Sequence, residues 1–201
     1  MSIRPTNIKD ISAIASIHKV QFPSHFLGQY STSLLSEFYR SFLGKSLFLV
    51  HDTVDGVNGF VLGGTANQIS AGKVAFVHDN LMHCVGETLL NPRLWSSGVC
   101  RGVLALTDFQ SKRCQGSEFK SGTAFTLLSI AVSKEAVGKG VAIALMNAFE
   151  KQILGGVSEY RLSVDKDNHR SLAFFRKMRL EVIYDSGDSV VFRRAIASYT
   201  V

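Results

Sequence analysis

Two glycines flank a lysine in Val137-Gly-Lys-Gly-Val-Ala142, just after a strand-like run, Phe125-Thr-Leu-Leu-Ser-Ile-Ala-Val132, and the turn opens directly into a helical pattern. Glycines let backbone N–H groups approach a bulky anion, and the start of a helix adds the positive end of its dipole. The chemistry this suits is the holding of a pyrophosphate. The turn lacks the Lys-Ser/Thr ending of a nucleotide P-loop, and its glycines do not fit the dinucleotide fingerprint. A strand-to-helix connection with no ligand has the same residues, and Lys139 in such a turn is either a phosphate contact or a solvated charge.

The elements around the turn are legible from periodicity. Ile3-Arg4 forms a short first strand. A helix over about 10–20 places Ile11, Ile14, Ala15 and His18 on one face, and Phe22-Pro23 closes it. A second helix over about 31–43 aligns Leu34, Phe38 and Phe42. Residues 46–51 and 57–64 read as two strands joined at Asp55-Gly56. Two helices are expected at about 73–89 and 92–110, weakened by Gly86, Gly98 and Gly102, then a polar loop over 111–122. The helix after the glycine turn, about 140–154, buries Ala142, Leu145, Met146, Phe149 and Ile153 and stops at Gly155-Gly156. Tyr160, Leu162 and Val164 alternate in a strand over 159–165. A helix runs from Asn168 to Met178, and Val182–Tyr184 with Val190–Phe192 closes the chain as a hairpin about Gly187-Asp188.

The 201 residues carry 46% hydrophobic and 19% charged side chains, enough for one domain with a sizeable core. The formal net charge of +6 suits a polyanionic ligand and equally suits plain solubility. Its basic residues are scattered, with no Lys/Arg block of the kind that grips nucleic acid. Cys84, Cys100 and Cys114 have neither an even count nor metal-ligand spacing, so neither a disulfide framework nor a metal site is expected, and a reducing cytoplasm is. The first residues hold no apolar signal core, and no apolar run approaches the length of a membrane span.

The two motifs together resemble the acyl-CoA-binding core of the GCN5-related N-acetyltransferases. That family's phosphate motif, Gln/Arg-x-x-Gly-x-Gly/Ala, falls on Val137-x-x-Gly140-x-Ala142, with Val137 in place of the usual Arg or Gln. Its second signature, an Asn followed two turns later by an aromatic pair and a basic tail, falls on Asn168-His-Arg-Ser-Leu-Ala-Phe-Phe-Arg-Lys-Met-Arg-Leu180. There Phe175 replaces a frequent Tyr, and Arg179 a usual Gly. The order Ile3-Arg4, Asp10-Ile11, then His and Phe-Pro also resembles the family's N-terminus. The likeness covers about 122–196 and, less closely, 1–66; residues 67–121 are outside it.

This resemblance implies a single GNAT-like α/β domain over 1–201. Its twisted mixed sheet would have two splayed central parallel strands, 123–132 and 159–165, flanked by helices, with a helical insertion at about 67–121. It implies acetyl-CoA as co-substrate, with no metal, and direct transfer to an amine in a ternary complex. Backbone groups of Ile130 and Val132 would hold the pantetheine as an added strand. The N–H groups of Gly138, Lys139, Gly140, Val141 and Ala142 would bind the pyrophosphate. Asn168 would touch the pantetheine, cap its helix, or do both. Phe175 would sit by the thioester or simply in the core; it has no proton to give a leaving thiolate, whose ordinary pKa near 8.5 lets it leave unassisted.

For acid–base chemistry the candidates are Asp165, at the end of a central strand or merely in a turn, and His78, which with Asp79 and His83 could line an acceptor pocket. His18 reads as a buried structural histidine, and Cys84 has no partner that would make it a nucleophile. The expected partner is a small-molecule amine, such as an amino sugar, with a homodimer admissible and no nucleic acid or membrane span involved. A non-catalytic acyl-CoA-binding module and a protein N-acetyltransferase are the alternatives.

Overall fold

The computed structural model describes residues 2–23, 25–90 and 125–196. Among them, strands β1 (Ser2–Pro5), β2 (Leu47–Thr53), β3 (Gly56–Thr65), β4 (Phe125–Val132), β5 (Glu159–Asp165), β6 (Glu181–Asp185) and β7 (Ser189–Ala195) form one sheet in the order β1-β2-β3-β4-β5-β7-β6. Every pairing is antiparallel except β4 with β5. The helices are α1 (Ile11–Gln21), α2 (Thr32–Arg40), α3 (Ala66–Leu90), α4 (Val141–Ile153) and α5 (His169–Lys177).

Strand alternation divides the interior into two cores. Phe48, Val50, Phe60, Leu62 and Ala131 face α1, α2 and α3, where they meet Ile14, Leu34, Phe38, Phe42 and Phe76. Leu49, Val61, Leu127, Val132, Leu162 and Phe192 face α4 and α5, where they meet Leu145, Met146, Phe149, Leu172 and Phe175. The apolar faces expected on the first and fourth helices are thus the faces that pack. Arg4 ties the edge to the first layer: its guanidinium donates to both oxygens of buried Asp10, at 2.8 and 2.9 Å, and to Asp52 at 2.8 Å. That pairing holds the Asp10 carboxyl below its ordinary pKa.

One expectation is corrected in the middle of the chain. The first inserted helix begins at Ala66, not near 73, and runs to Leu90. Its axis is broken at Asn80, where φ is −124° and the side-chain amide donates to the Phe76 carbonyl at 3.1 Å. The second inserted helix and the polar loop after it lie outside the described residues, as do Cys100 and Cys114. Among the described residues no helix is long and apolar enough to cross a membrane, and no group of His, Cys, Asp and Glu is placed to hold a metal.

Candidate active site

The sheet opens between its two parallel strands. β4 and β5 pair only at Phe125 with Tyr160 and Thr126 with Arg161. Beyond those residues β5 pairs with β7 alone, and the second edge of β4 faces a gap. One extra residue in β4, Leu128, lies between the pairs Leu62–Ser129 and Gly63–Leu127. Such a bulge bends a strand and turns consecutive side chains to one face. Here Leu128 packs with the α1–α2 core and Ser129 reaches Tyr39 of α2. The Ser133 N–H donates to the Asn58 carbonyl of the turn before β3 at 2.8 Å. Alternation from that bond aims the backbone groups of Ala131 at β3 and those of Ile130 and Val132 into the gap.

At the end of β4 the chain turns through Lys134–Ala136 into the glycine segment. Gly138 and Gly140 have φ of +77° and +79°, values that residues with a side chain adopt only with strain. A Cβ at either would meet nothing within 4 Å, so the conformation, not crowding, asks for glycine. Gly140 caps α4 with no side-chain hydrogen bond, and the first bond back to it comes from Ala144 N–H at 3.0 Å. The N–H groups of Val141, Ala142 and Ile143 therefore lie ahead of the helical ladder. The Lys139 N–H, by contrast, already donates to the Ala136 carbonyl at 3.2 Å. The surface from Val137 to Gly140 is exposed. Uncapped N–H groups, a helix N-terminus and an exposed lysine together form a cradle fit for a phosphate.

Asn168 caps α5: its side-chain oxygen accepts from Ser171 N–H at 3.0 Å. Phe175 is 3% exposed and packs against Phe174 and Phe192, inside the second core. Asp165 ends β5 and is half-buried. Among the described residues His78 meets no pocket wall: its imidazole and the Asp79 carboxylate pair at 2.9 Å, with side chains 85% and 69% exposed. His83 is exposed on the same helix, and Cys84 is buried, its thiol pushed up to about 11 by that burial.

A second polar group lies on the α1–α2 side of the sheet, assembled from segments far apart in the chain. His18 of α1 is buried, and its Nδ1 shares a 2.6 Å hydrogen bond with the Tyr39 hydroxyl. That hydroxyl lies 3.3 Å from Ser129 Oγ on β4. His25, in the loop between α1 and α2, stands 6.1 Å from His18 between ring centroids, edge-on at 70°. Burial lowers both imidazoles: His18 is pulled down to about 3, while His25 is lowered by burial and partly restored by the Asp165 carboxylate. Burial also raises the Tyr39 hydroxyl. Arg170 of α5 donates to Gln21 of α1 at 3.1 Å, so the two sides of the opening are tied together. His18 was legible as a buried histidine. His25, Tyr39 and Ser129 carried one signal between them, a serine in the middle of an apolar strand.

Known folds share this arrangement. SsHAT is 18% identical, with 98% of each chain covered and a TM-score of 0.69. The PaiA N-acetyltransferase of Thermoplasma acidophilum, solved with coenzyme A, is 16% identical over 96% of this chain and 98% of that one, with a TM-score of 0.56. NAA60 of Arabidopsis thaliana, solved with a bisubstrate analogue, is 15% identical over 98% of each chain, at 0.58. No curated protein is significantly similar in sequence. At these identities the likeness establishes the fold, which is that of the acetyltransferases. The sequence model of the acetyltransferase (GNAT) family matches residues 16–179, and the chain belongs to that family. It is accordingly an acetyl-CoA-dependent N-acetyltransferase.

Proposed function

We propose that this protein moves the acetyl group of acetyl-CoA to the primary amine of a small molecule, by direct attack in a ternary complex. The observation that carries the reading is the parting of β4 from β5 after two residue pairs, beside the glycine turn. Val132 links the two features. Backbone groups of Ile130 and Val132 suit the amides of the pantetheine arm. The N–H groups of Gly138, Gly140, Val141 and Ala142 suit the pyrophosphate, with Lys139 supplying charge beside it. Asn168 would contact the pantetheine through the amide group left over from capping. Phe175 would contribute a wall and no proton.

Acetyl-CoA supplies a thioester whose thiolate is a good leaving group. An ammonium must lose one proton before its lone pair can attack the carbonyl carbon. As the C–S bond breaks, the nitrogen loses a second proton and the thiolate can take one up. The chain therefore has to position two reactants and accept a proton. A small acceptor is favoured because His18 and Tyr39 are buried and His25, in the α1–α2 loop, packs edge-on against His18. A Cβ at Gly28 in that loop would lie 1.9 Å from the Phe22 carbonyl oxygen, so the loop is packed tightly on its own start.

The test is release of free CoA thiol from acetyl-CoA in the presence of glucosamine, spermidine, or a short peptide with a free N-terminus. Acetylation of glucosamine or spermidine is the expected result. Acetylation of the peptide alone would make the protein an N-terminal acetyltransferase, the activity read for it otherwise.

A further inference from the structure

Acyl transfer to an amine needs a proton acceptor, and the polar group on the α1–α2 side of the sheet holds two imidazoles. Among the described residues, His18 Nε2 and His25 Nδ1 are both buried without a hydrogen-bond partner. A buried polar atom left unpaired is costly, so two of them beside the parted strands suggest a ligand. We propose that the acceptor amine binds between His18 Nε2 and His25 Nδ1, and that His25, backed by Asp165, takes the proton from the attacking nitrogen. This inference rests on the acyl-transfer reading and identifies its missing base.

His18 fits an orienting role. Its Nδ1 is fixed by Tyr39, and Tyr39 by Ser129 on the strand that borders the gap. An ammonium only donates hydrogen bonds, so the productive form is the one in which Nδ1–H donates to the Tyr39 oxygen and Nε2 accepts from the amine. That form is neutral, so His18 does not repel an arriving ammonium. It is too weak a base to hold the proton itself.

His25 fits the acceptor role. The groups that face it are His18 from α1 and Asp165 from the end of β5, and Arg170 of α5 is bonded at Gln21 nearby. The Asp165 carboxylate favours the imidazolium that forms when the proton arrives. The loop that carries His25 is held before substrate comes. His25 N–H donates to the Phe22 carbonyl at 3.2 Å, and Lys19 Nζ to the Tyr30 carbonyl at 2.8 Å. The Glu87 carboxylate of α3 accepts from both the N–H and the hydroxyl of Ser31. Such fixing lowers the cost of assembling the reactive geometry.

In balance, R–NH3+ gives one proton to His25 Nδ1. The free lone pair forms the C–N bond and the C–S bond breaks. The nitrogen's second proton then neutralises the departing thiolate, and the imidazolium returns its proton to water.

The test uses the full chain with acetyl-CoA and whichever of glucosamine, spermidine or the free peptide turns over. His25→Gln should lower kcat/KM for the amine at least ~100-fold, leave CoA affinity within about twofold, and abolish the acidic limb of the pH–rate profile. Turnover within a few-fold of the unaltered protein would overturn the assignment. A second arm needs no turnover and no change at His25. Nuclear magnetic resonance of labelled imidazoles should show His25 titrating below 6.5, and lower still in Asp165→Asn. A His25 titration unmoved by Asp165→Asn would overturn the pairing. Failure of the acyl-transfer reading appears separately, as absent CoA binding in the unaltered protein, and takes the amine site with it.

Discussion

His18 is uncharged because burial strips its water and the neighbouring His25 adds to the cost of a charge there. Its folded pKa of about 3 lies below the ordinary 6.5, so between those values the unfolded chain binds the extra proton. Stability should therefore fall as pH drops through that window, by up to about 1.4 kcal/mol per pH unit from this one group. Denaturant melts at stepped pH would show the slope, and His18→Gln should flatten it; an unchanged slope would place the acid sensitivity elsewhere. Asn168 poses a sharper question. Ser caps about as well as Asn, so Asn168→Ser should leave the melting temperature nearly unchanged yet weaken CoA binding by several-fold if the amide also touches the cofactor. Equal CoA affinity in the two proteins would leave Asn168 as a cap only. Both residues were visible in the sequence because their signals are local: a helix face for His18, a helix start for Asn168. The His18–Tyr39–Ser129 chain was not, because its hydrogen bonds span 21 and 90 residues. Tyr39, next to Phe38 on an aromatic helix face, looks like any other core residue.

Helix ends carry the next set of consequences. α5 finishes in two bonds, Leu180 N–H to the Phe175 carbonyl at 3.1 Å and Arg179 N–H to the Arg176 carbonyl at 2.9 Å. This closure puts the residue after the cap in the left-handed region. That residue is Arg179, with φ of +58°, the one non-glycine of positive φ among the described residues. The sequence marked Arg179 as standing where its family usually has Gly, and the structure supplies the reason for the Gly. Arg179→Gly should raise stability by about 1 kcal/mol, read as a rise in denaturation midpoint; a fall would mean that the arginine side chain holds more than its backbone costs. At the other end of the site, Gly140→Asp would set a carboxylate at the mouth of α4. CoA affinity should drop at least ~10-fold, about 1.4 kcal/mol, with the fold retained, and calorimetry would check it. Elements with clear stops and one apolar face, such as α1 and α4, were legible almost to the residue. α3 was not. Val74, Leu81, Met82 and Leu89 are exposed while Gly72, Lys73 and Thr88 are buried, so its sequence shows no clean face.

At the scale of the molecule, the function follows from where the sheet fails to close. Five of the six strand pairings run along much of the strands' length, and the sixth, β4 with β5, is made at one end only. The resemblance implied this opening, and hydrophobic alternation alone did not, since both strands alternate like closed ones. The β4 edge and the glycine turn border the gap; the histidines that the chain brings from α1 and its following loop lie on the α1–α2 side of the sheet, His18 tied to β4 through Tyr39 and His25 within reach of the Asp165 charge at the end of β5. The central claim is that coenzyme A occupies the gap along β4 with its phosphates on the start of α4. Amide hydrogen exchange, with and without saturating CoA, tests it at each bond. Slowed exchange at Ile130 and Val132, and at Val141, Ala142 and Ile143, is the expected result. CoA bound with those amides exchanging unchanged, and protection elsewhere, would contradict it.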